Sequence, residues 1–261
     1  ISINVFPPQN MFIDGRIGPD VPRMFELFRI IGEPHPVDLV KDEIGRFYSP
    51  RFNFNNIPFW DLQEGMFVLV EEPFALEWAG DRIEPDALIE MISGLNLVAY
   101  YPTYRLNAHS NEFYVISDVV DDLIIAKDGL GRFMLPEFDF SNMNPWEQGQ
   151  SYIIGMQRGD NDQRIEFEFR YPEEREDEDL VIFESGDHWE IPSAGRISMS
   201  LLVNDIVGPE GFEPAEGDQI AAFAENGTFT GIGDVHDGVC GLVIWERDGD
   251  LADNQFVEPG E

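Results

Sequence analysis

The sequence predicts a mainly β protein that contains two homologous β-rich repeats, each with a short helix, followed by a β-sandwich-like module. This prediction depends on an internal repeat, on apolar runs bounded by Gly, Pro, Asn or Asp, and on an apolar fraction of 43%, which suffices for packed cores. The predicted boundaries are residues 1–88 and 89–172 for the repeats, 173–179 for an acidic linker, and 180–261 for the module. We expect the first repeat and the module to be cut short at the two ends of the chain.

The internal repeat is clearest in one segment of twenty residues. KDEIGRFYSPRFNFNNIPFW at residues 41–60 recurs without a gap as KDGLGRFMLPEFDFSNMNPW at residues 127–146, and ten of the twenty positions are identical. Chance would give about one match at ~1 in 20 per position, so the segments are copies of one module. They also contain the only two lysines of the chain, Lys41 and Lys127.

The order of elements within a repeat follows from this segment. An apolar strand ends at the lysine, an Asp-x-x-Gly turn follows, and Arg-Phe begins a return strand that ends before Pro50 or Pro136. Phe52 and Phe54, like Phe138 and Phe140, alternate as residues on one strand face would. The helix of each repeat is predicted within residues 20–31 and 112–122. Further strands are predicted at 66–70 and 152–156, and a closing strand at 74–78 and 164–169.

The repeated polar and aromatic residues have two possible roles. We interpret them mainly as determinants of the fold, with each lysine paired to a carboxylate that would otherwise be buried without a partner. Alternatively, an aromatic face beside cations suits a sugar or an anion. The candidate ligand-binding residues are Lys41, Arg46, Trp60, Lys127, Arg132 and Trp146.

Charge and composition restrict the partners of the protein. Asp and Glu outnumber Lys and Arg by 51 to 16, which gives a net charge of −35. Such a chain repels nucleic acid and anionic lipid, and it suits either a salty medium or an acidic extracellular protein. No run of eighteen apolar residues is present, so we expect no membrane insertion. The single cysteine, Cys240, lies in an apolar run and is predicted to be buried and structural.

No enzyme signature is present. The four histidines lack metal-ligand spacing, and no G-x-S-x-G motif surrounds a serine, so we predict that the protein is not an enzyme. The cluster of Asp234, His236 and Asp237 is interpreted as a surface turn. Calcium is the one ion that the sequence suggests, at Asp248, Asp250 and Asp253, and a solvated acidic loop is the alternative interpretation.

Several motifs resemble modules of large bacterial secreted and cell-surface proteins, many of them type IX secretion cargo. GLNLV at residues 94–98, KDGLG at 127–131 and NMNPW at 142–146 are similar to one such module. GDQIAAF at 217–223, with GTFTGIG at 227–233 and CGLVIW at 240–245, is similar to a second module of the same proteins. The resemblance implies a secreted or cell-surface location and a β-rich architecture, and it supplies no catalytic residues.

The sequence therefore favours a non-enzymatic extracellular structural or interaction protein. We expect a cell-surface repeat protein or a filament subunit, which associates with itself or with other surface proteins through strand edges. The alternative is a carbohydrate-binding accessory module of a larger secreted protein.

Overall fold

The computed structural model of the chain describes residues 1–3, 5–6, 28, 36–57, 59–75, 80–109, 112–175, 179–183, 198–208 and 212–245. It is mainly β, as predicted, and its sheets are antiparallel. The predicted helix at 20–31 lies outside the described residues except for Phe28, which is helical and completely buried. The predicted helix at 112–122 consists of two short 3₁₀ segments, Tyr114–Ile116 and Val120–Asp122.

The first repeat contains a four-stranded sheet and a separate strand pair. The strands are β1 (Val5–Phe6), β2 (Val37–Lys41), β3 (Phe47–Ser49), β4 (Phe54–Asn55), β5 (Phe67–Val70) and β6 (Asp81–Arg82). The sheet has the order β4-β3-β2-β5, and β1 pairs with β6.

The second repeat contains the same four-stranded sheet with one further strand at its edge. Its strands are β7 (Ile89–Ile92), β8 (Gly94–Ala99), β9 (Leu123–Lys127), β10 (Phe133–Leu135), β11 (Phe140–Ser141), β12 (Ser151–Met156) and β13 (Glu166–Phe169). The sheet order is β11-β10-β9-β12-β8, and β13 pairs with β7. Two further 3₁₀ segments are Pro136–Phe138 and Asp160–Asp162.

The two repeats are structural copies. β2, β3 and β4 coincide with β9, β10 and β11 after a shift of 86 residues, and β5 coincides with the last four residues of β12. The register is also the same, because Lys41 lies opposite Phe47 and Lys127 opposite Phe133. The prediction of homologous β repeats is confirmed.

The third module is a four-stranded antiparallel sheet within its described residues. Its strands are β14 (Ser198–Val203), β15 (Gln219–Phe223), β16 (Phe229–His236) and β17 (Val239–Trp245), in the order β14-β17-β16-β15. Asn226 and Gly227 lie in the turn between β15 and β16, and the positive φ of Gly227 (83°) suits a residue without a Cβ.

The prediction that Phe52 and Phe54, or Phe138 and Phe140, alternate along one strand is wrong. Pro136–Phe138 forms a 3₁₀ turn, and Asp139 then adopts a positive φ of 50° before β11 begins. A proline at the start of the segment fixes its own φ and favours this turn, so each pair spans a corner. The predicted strand at 74–78 is also absent at its described residues, Phe74 and Ala75.

Each repeat has its own core, and the two cores meet. Trp60 and Phe28 are completely buried in the first, and Trp146 and Tyr100 in the second. Leu62 packs against both clusters. The junction between the two repeats therefore includes apolar contacts.

Candidate interaction surface

The Asp-x-x-Gly-Arg segment of each repeat closes its hairpin through one aspartate. Asp42 Oδ1 accepts backbone hydrogen bonds from Ile44 (3.1 Å) and Arg46 (2.8 Å). Gly45 has a φ of +89°, which disfavours any residue with a Cβ. The same bonds and the same glycine conformation recur in the second repeat, at Asp128, Leu130, Arg132 and Gly131. The repeated Asp and Gly are thus explained by local folding.

The buried aspartates pair with arginine. Arg46 Nε lies 2.5 Å from Asp42 Oδ2, and Arg132 Nε lies 2.6 Å from Asp128 Oδ2. Burial raises the pKa of Asp128, and Arg132 opposes that rise. The expectation that each lysine would pair with a buried carboxylate is wrong, because the arginine four residues after the aspartate already provides the counter-charge.

The two tryptophans belong to the cores. Trp60 and Trp146 have no exposed surface. Trp60 donates a hydrogen bond from Nε1 to the Glu64 carbonyl (3.0 Å), and the Trp146 ring stacks on Tyr152 at 3.8 Å between centroids. A ring without exposed surface cannot stack on a ligand. The predicted ligand-binding role therefore has to depend on the two lysines and two arginines.

The third module covers the hairpin of the second repeat. Lys127 Nζ donates hydrogen bonds to Ser198 Oγ (3.0 Å) and to the Ser198 carbonyl (3.5 Å). Burial lowers the pKa of Lys127, and the nearby carboxylate of Asp128 opposes that shift. Asn142 Nδ2 donates to the Gly241 carbonyl at 3.2 Å. These bonds join β9 and the segment after β11 to β14 and β17.

Glycine permits the closest approach at this contact. A Cβ on Gly241 would lie 2.5 Å from Asn142 Nδ2 and 2.6 Å from Phe140 Cζ. A Cβ on Gly131 would likewise lie 2.5 Å from Val243 Cγ1. The module and the second repeat therefore fit at van der Waals distance, and Phe140 is only 5% exposed.

The equivalent face of the first repeat is partly exposed to solvent. Lys41 lies opposite Phe47 and Phe67 in the sheet, and Leu39 lies opposite Leu69, so these side chains share one side of it. Phe54 stacks on Phe47 with 4.7 Å between ring centroids. We call this set the outer face of repeat 1; it comprises Leu39, Lys41, Phe47, Phe54, Phe67 and Leu69.

Exposure distinguishes this face from its copy. Phe54 is 43% exposed, against 5% for Phe140 at the equivalent position. Phe67 and Leu69 are 44% and 49% exposed. A Cβ on Gly45 would meet only the side chain of Lys41, at 3.9 Å. Phe67 and Leu69 were not among the residues predicted from the sequence to bind a ligand. The signal was present, because β5 is apolar on both faces, a pattern typical of strands that are covered on both sides.

A small cleft of about 60 Å³ lies between the second repeat and the third module. Arg132, Asn142, Asp234, His236 and Trp245 are among the residues that line it.

The predicted surface turn in the third module has the expected character. Glu216 binds it through both carboxylate oxygens, one at 2.6 Å from His236 Nδ1 and the other accepting from the Asp237 backbone at 2.9 Å. These contacts lower the pKa of Glu216. Across the described ranges, no three His, Cys, Asp or Glu side chains are grouped to hold a metal ion. The calcium candidates Asp248, Asp250 and Asp253 lie outside the described residues, so calcium stays a prediction.

The thiol of Cys240 is buried in the third module. Burial, with a smaller contribution from Asp234, raises its pKa to about 12. A thiol that stays protonated is a poor nucleophile and a poor metal ligand.

The junction between the repeats is made by backbone edges. Gly65 donates to the Leu97 carbonyl (2.8 Å) and Ala99 donates to the Gln63 carbonyl (2.9 Å), so residues 63–65 pair with the outer edge of β8. The Glu43 carboxylate accepts from the Leu97 amide at 2.9 Å. Burial, together with nearby carboxylates and opposed by Arg46, raises the pKa of Glu64 to about 7.

Comparison with known proteins found no matching family model, curated protein or solved structure. In the part of the chain that the structure describes, no helix is long and apolar enough to cross a membrane.

Proposed function

We propose that this chain is a non-enzymatic structural or interaction protein of the extracellular space or cell surface. The observation that supports the proposal best is how the repeated residues are used. Asp42, Arg46 and Trp60 complete a hairpin and a core, and their copies do the same in the second repeat. Modules are then joined by a strand edge and by a sheet face, as in proteins built to extend or to dock.

The net charge of −35 supports the same proposal. Self-repulsion keeps separate copies apart at low salt, and salt with a Debye length of about 3 Å at 1 M removes that barrier. Association of this protein with itself or with other acidic surface proteins should therefore depend on salt. Apolar and backbone contacts, which salt does not screen, would provide the attraction.

Electron microscopy of the native chain in high salt with calcium tests the proposal. Regular filaments or a lattice would support a structural polymer. Dispersed monomers over the whole concentration range, with no bound surface protein from the same source, would contradict it. Omitting calcium in a parallel sample separates the calcium prediction from the assembly itself.

The alternative function, carbohydrate binding, is favoured by one feature. Phe54 and Phe67 expose rings beside Lys41, and such rings stack on sugars. A glycan array tests it, with Phe67→Ala as the variant that should lose any signal. A silent array would remove this candidate.

A further inference from the structure

We propose that the outer face of repeat 1 is a docking site for a β-sheet module from another polypeptide, with the surface chemistry that residues 198–245 present to repeat 2. This inference deepens the proposed function, because it names the surface and the kind of partner. The proposed partner is a β-sheet whose central strand has a glycine at the point of closest approach to repeat 1. Beside that glycine the sheet carries apolar residues and oxygen acceptors.

The second repeat shows how such a partner is bound. Its contacts with the third module come from Lys127, Gly131, Phe140 and Asn142. All four residue types recur at the equivalent positions of the first repeat, which are Lys41, Gly45, Phe54 and Asn56. Seven other positions between these limits differ, so the contact residues are retained as a set.

Folding of the first repeat accounts for only part of this set. Gly45 has a positive φ, and Asn56 Oδ1 accepts a hydrogen bond from the Phe47 amide at 2.6 Å. Lys41 is exposed, however, and Phe54 is 43% exposed. A lysine in a chain with only two lysines, and a phenylalanine facing solvent, are explained by a partner rather than by the hairpin.

The contacts in the second repeat define the chemistry of the partner. A hydroxyl and a carbonyl oxygen accept from Lys127, a strand carbonyl accepts from Asn142, and glycine lies against Phe140. Repeat 1 offers the same groups at Lys41 and Phe54 on its outer face and at Asn56, which is hydrogen-bonded to Phe47. Phe67 and Leu69 extend it with further apolar surface, which a sheet with aliphatic side chains would cover.

The third module of the same chain cannot serve both repeats at once. The side of β17 that carries Gly241 and Val243 already faces repeat 2. Among the described residues, no other sheet with this surface chemistry remains for repeat 1, so we place the partner sheet on another chain.

The test uses full-length chains and releases a third module to act as the probe. Phe140→Asp places a carboxylate against Gly241 and Asn142, and should free the third module from repeat 2 while leaving the first repeat unchanged. A donor chain that carries Phe140→Asp together with Phe54→Asp has no outer face of its own to bind, and in high salt it should form a 1:1 complex with the wild-type chain in sedimentation velocity. A receiver with Phe54→Asp should bind at least tenfold more weakly. Phe138→Asp is the matched control for both variants. It makes the same change at a residue that is 56% exposed and lies outside the outer face, so it should neither free the third module nor weaken binding.

A freed module could also bind repeat 1 of its own chain, and thiol labelling detects this. Phe54→Cys introduces an accessible thiol, whereas Cys240 is buried. The same chain then also carries Phe140→Asp, which frees its third module. If the thiol at position 54 becomes protected from labelling in this double variant, the result supports the proposal even when the sample stays monomeric. Unchanged labelling together with no complex overturns it. Wild-type dimers that depend on Phe54 while the third module stays docked also overturn it, because the occupant would then be a second copy's outer face.

A second variant protects the test against misfolding of Phe140→Asp. Lys127→Glu replaces a hydrogen-bond donor at Ser198 with an acceptor, and should release the module with less damage to the sheet. The docking test and the microscopy can also fail separately. Wild-type monomers under the microscope leave the mixing experiment interpretable, and filaments that persist with Phe54→Asp would support assembly but through another surface.

Discussion

Replacing Glu64 by glutamine should stabilise the protein at neutral pH and leave it unchanged in acid. Glu64 lies in the segment 63–65 that pairs with β8, and it is half-buried beside Glu43, Asp61 and Asp42. Its pKa rises from 4.5 to about 7, first because of burial and then because of these carboxylates. Glutamine keeps the size of the side chain and removes the charge.

The size of the expected gain in the free energy of unfolding follows from proton linkage. Well below pH 4.5 the carboxyl is protonated in both the folded and the unfolded chain, so its effect on stability vanishes. Between pH 4.5 and about 7 the unfolded chain ionises while the folded chain retains the proton, so the free energy of unfolding falls as pH rises. At ~1.4 kcal/mol per pKa unit the full loss is roughly 3 kcal/mol, which partial solvent exposure reduces to about 2 kcal/mol.

Urea unfolding in high salt at pH 3.5 and pH 7.5 measures this difference. Glu64→Gln should match the wild type at the lower pH and exceed it by about 2 kcal/mol at the higher one. Glu71→Gln, at an exposed position in the same repeat, should change the free energy of unfolding by less than about 0.5 kcal/mol at both. An effect of Glu64→Gln that is the same at both pH values would refute the reasoning, because the gain would then not come from ionisation.

Three further predictions test the hairpin, the docking contact and the thiol. Asp42→Ala should reduce the free energy of unfolding by about 3 kcal/mol, measured in urea, because two backbone amides and Arg46 lose a buried acceptor; a loss below about 1 kcal/mol would contradict this. Gly241→Leu should overpack the contact with the second repeat, lower the free energy of unfolding by about 1–3 kcal/mol and increase hydrogen exchange in β17. Gly129→Ala is the control and should be neutral, because a Cβ there would meet nothing within 4 Å. Cys240 should react with iodoacetamide only as fast as the protein unfolds, because its pKa is about 12; fast alkylation of the native chain at pH 8 would disprove its burial.

Local chemistry explains why so much of the repeat was predictable. An aspartate that accepts amides two and four residues ahead, and a glycine at positive φ, require only neighbours in sequence. Gap-free recurrence of these residues therefore predicted correctly that β2 and β9 end at Lys41 and Lys127. The corner at Phe138 was missed because a proline turn and a left-handed Asp139 interrupt a pattern that, in sequence, still alternates.

The sequence by itself determined that the chain is mainly β, that it contains two copies of one module, and that it carries a large negative charge. Only the tertiary structure decided which copy of a repeated residue is covered. Phe54 and Phe140 are the same residue in the same local setting, yet one faces solvent and the other meets Gly241. The physical reason is that burial depends on packing between segments distant in sequence, here 140 and 241, whereas hairpin geometry depends on residues a few positions apart.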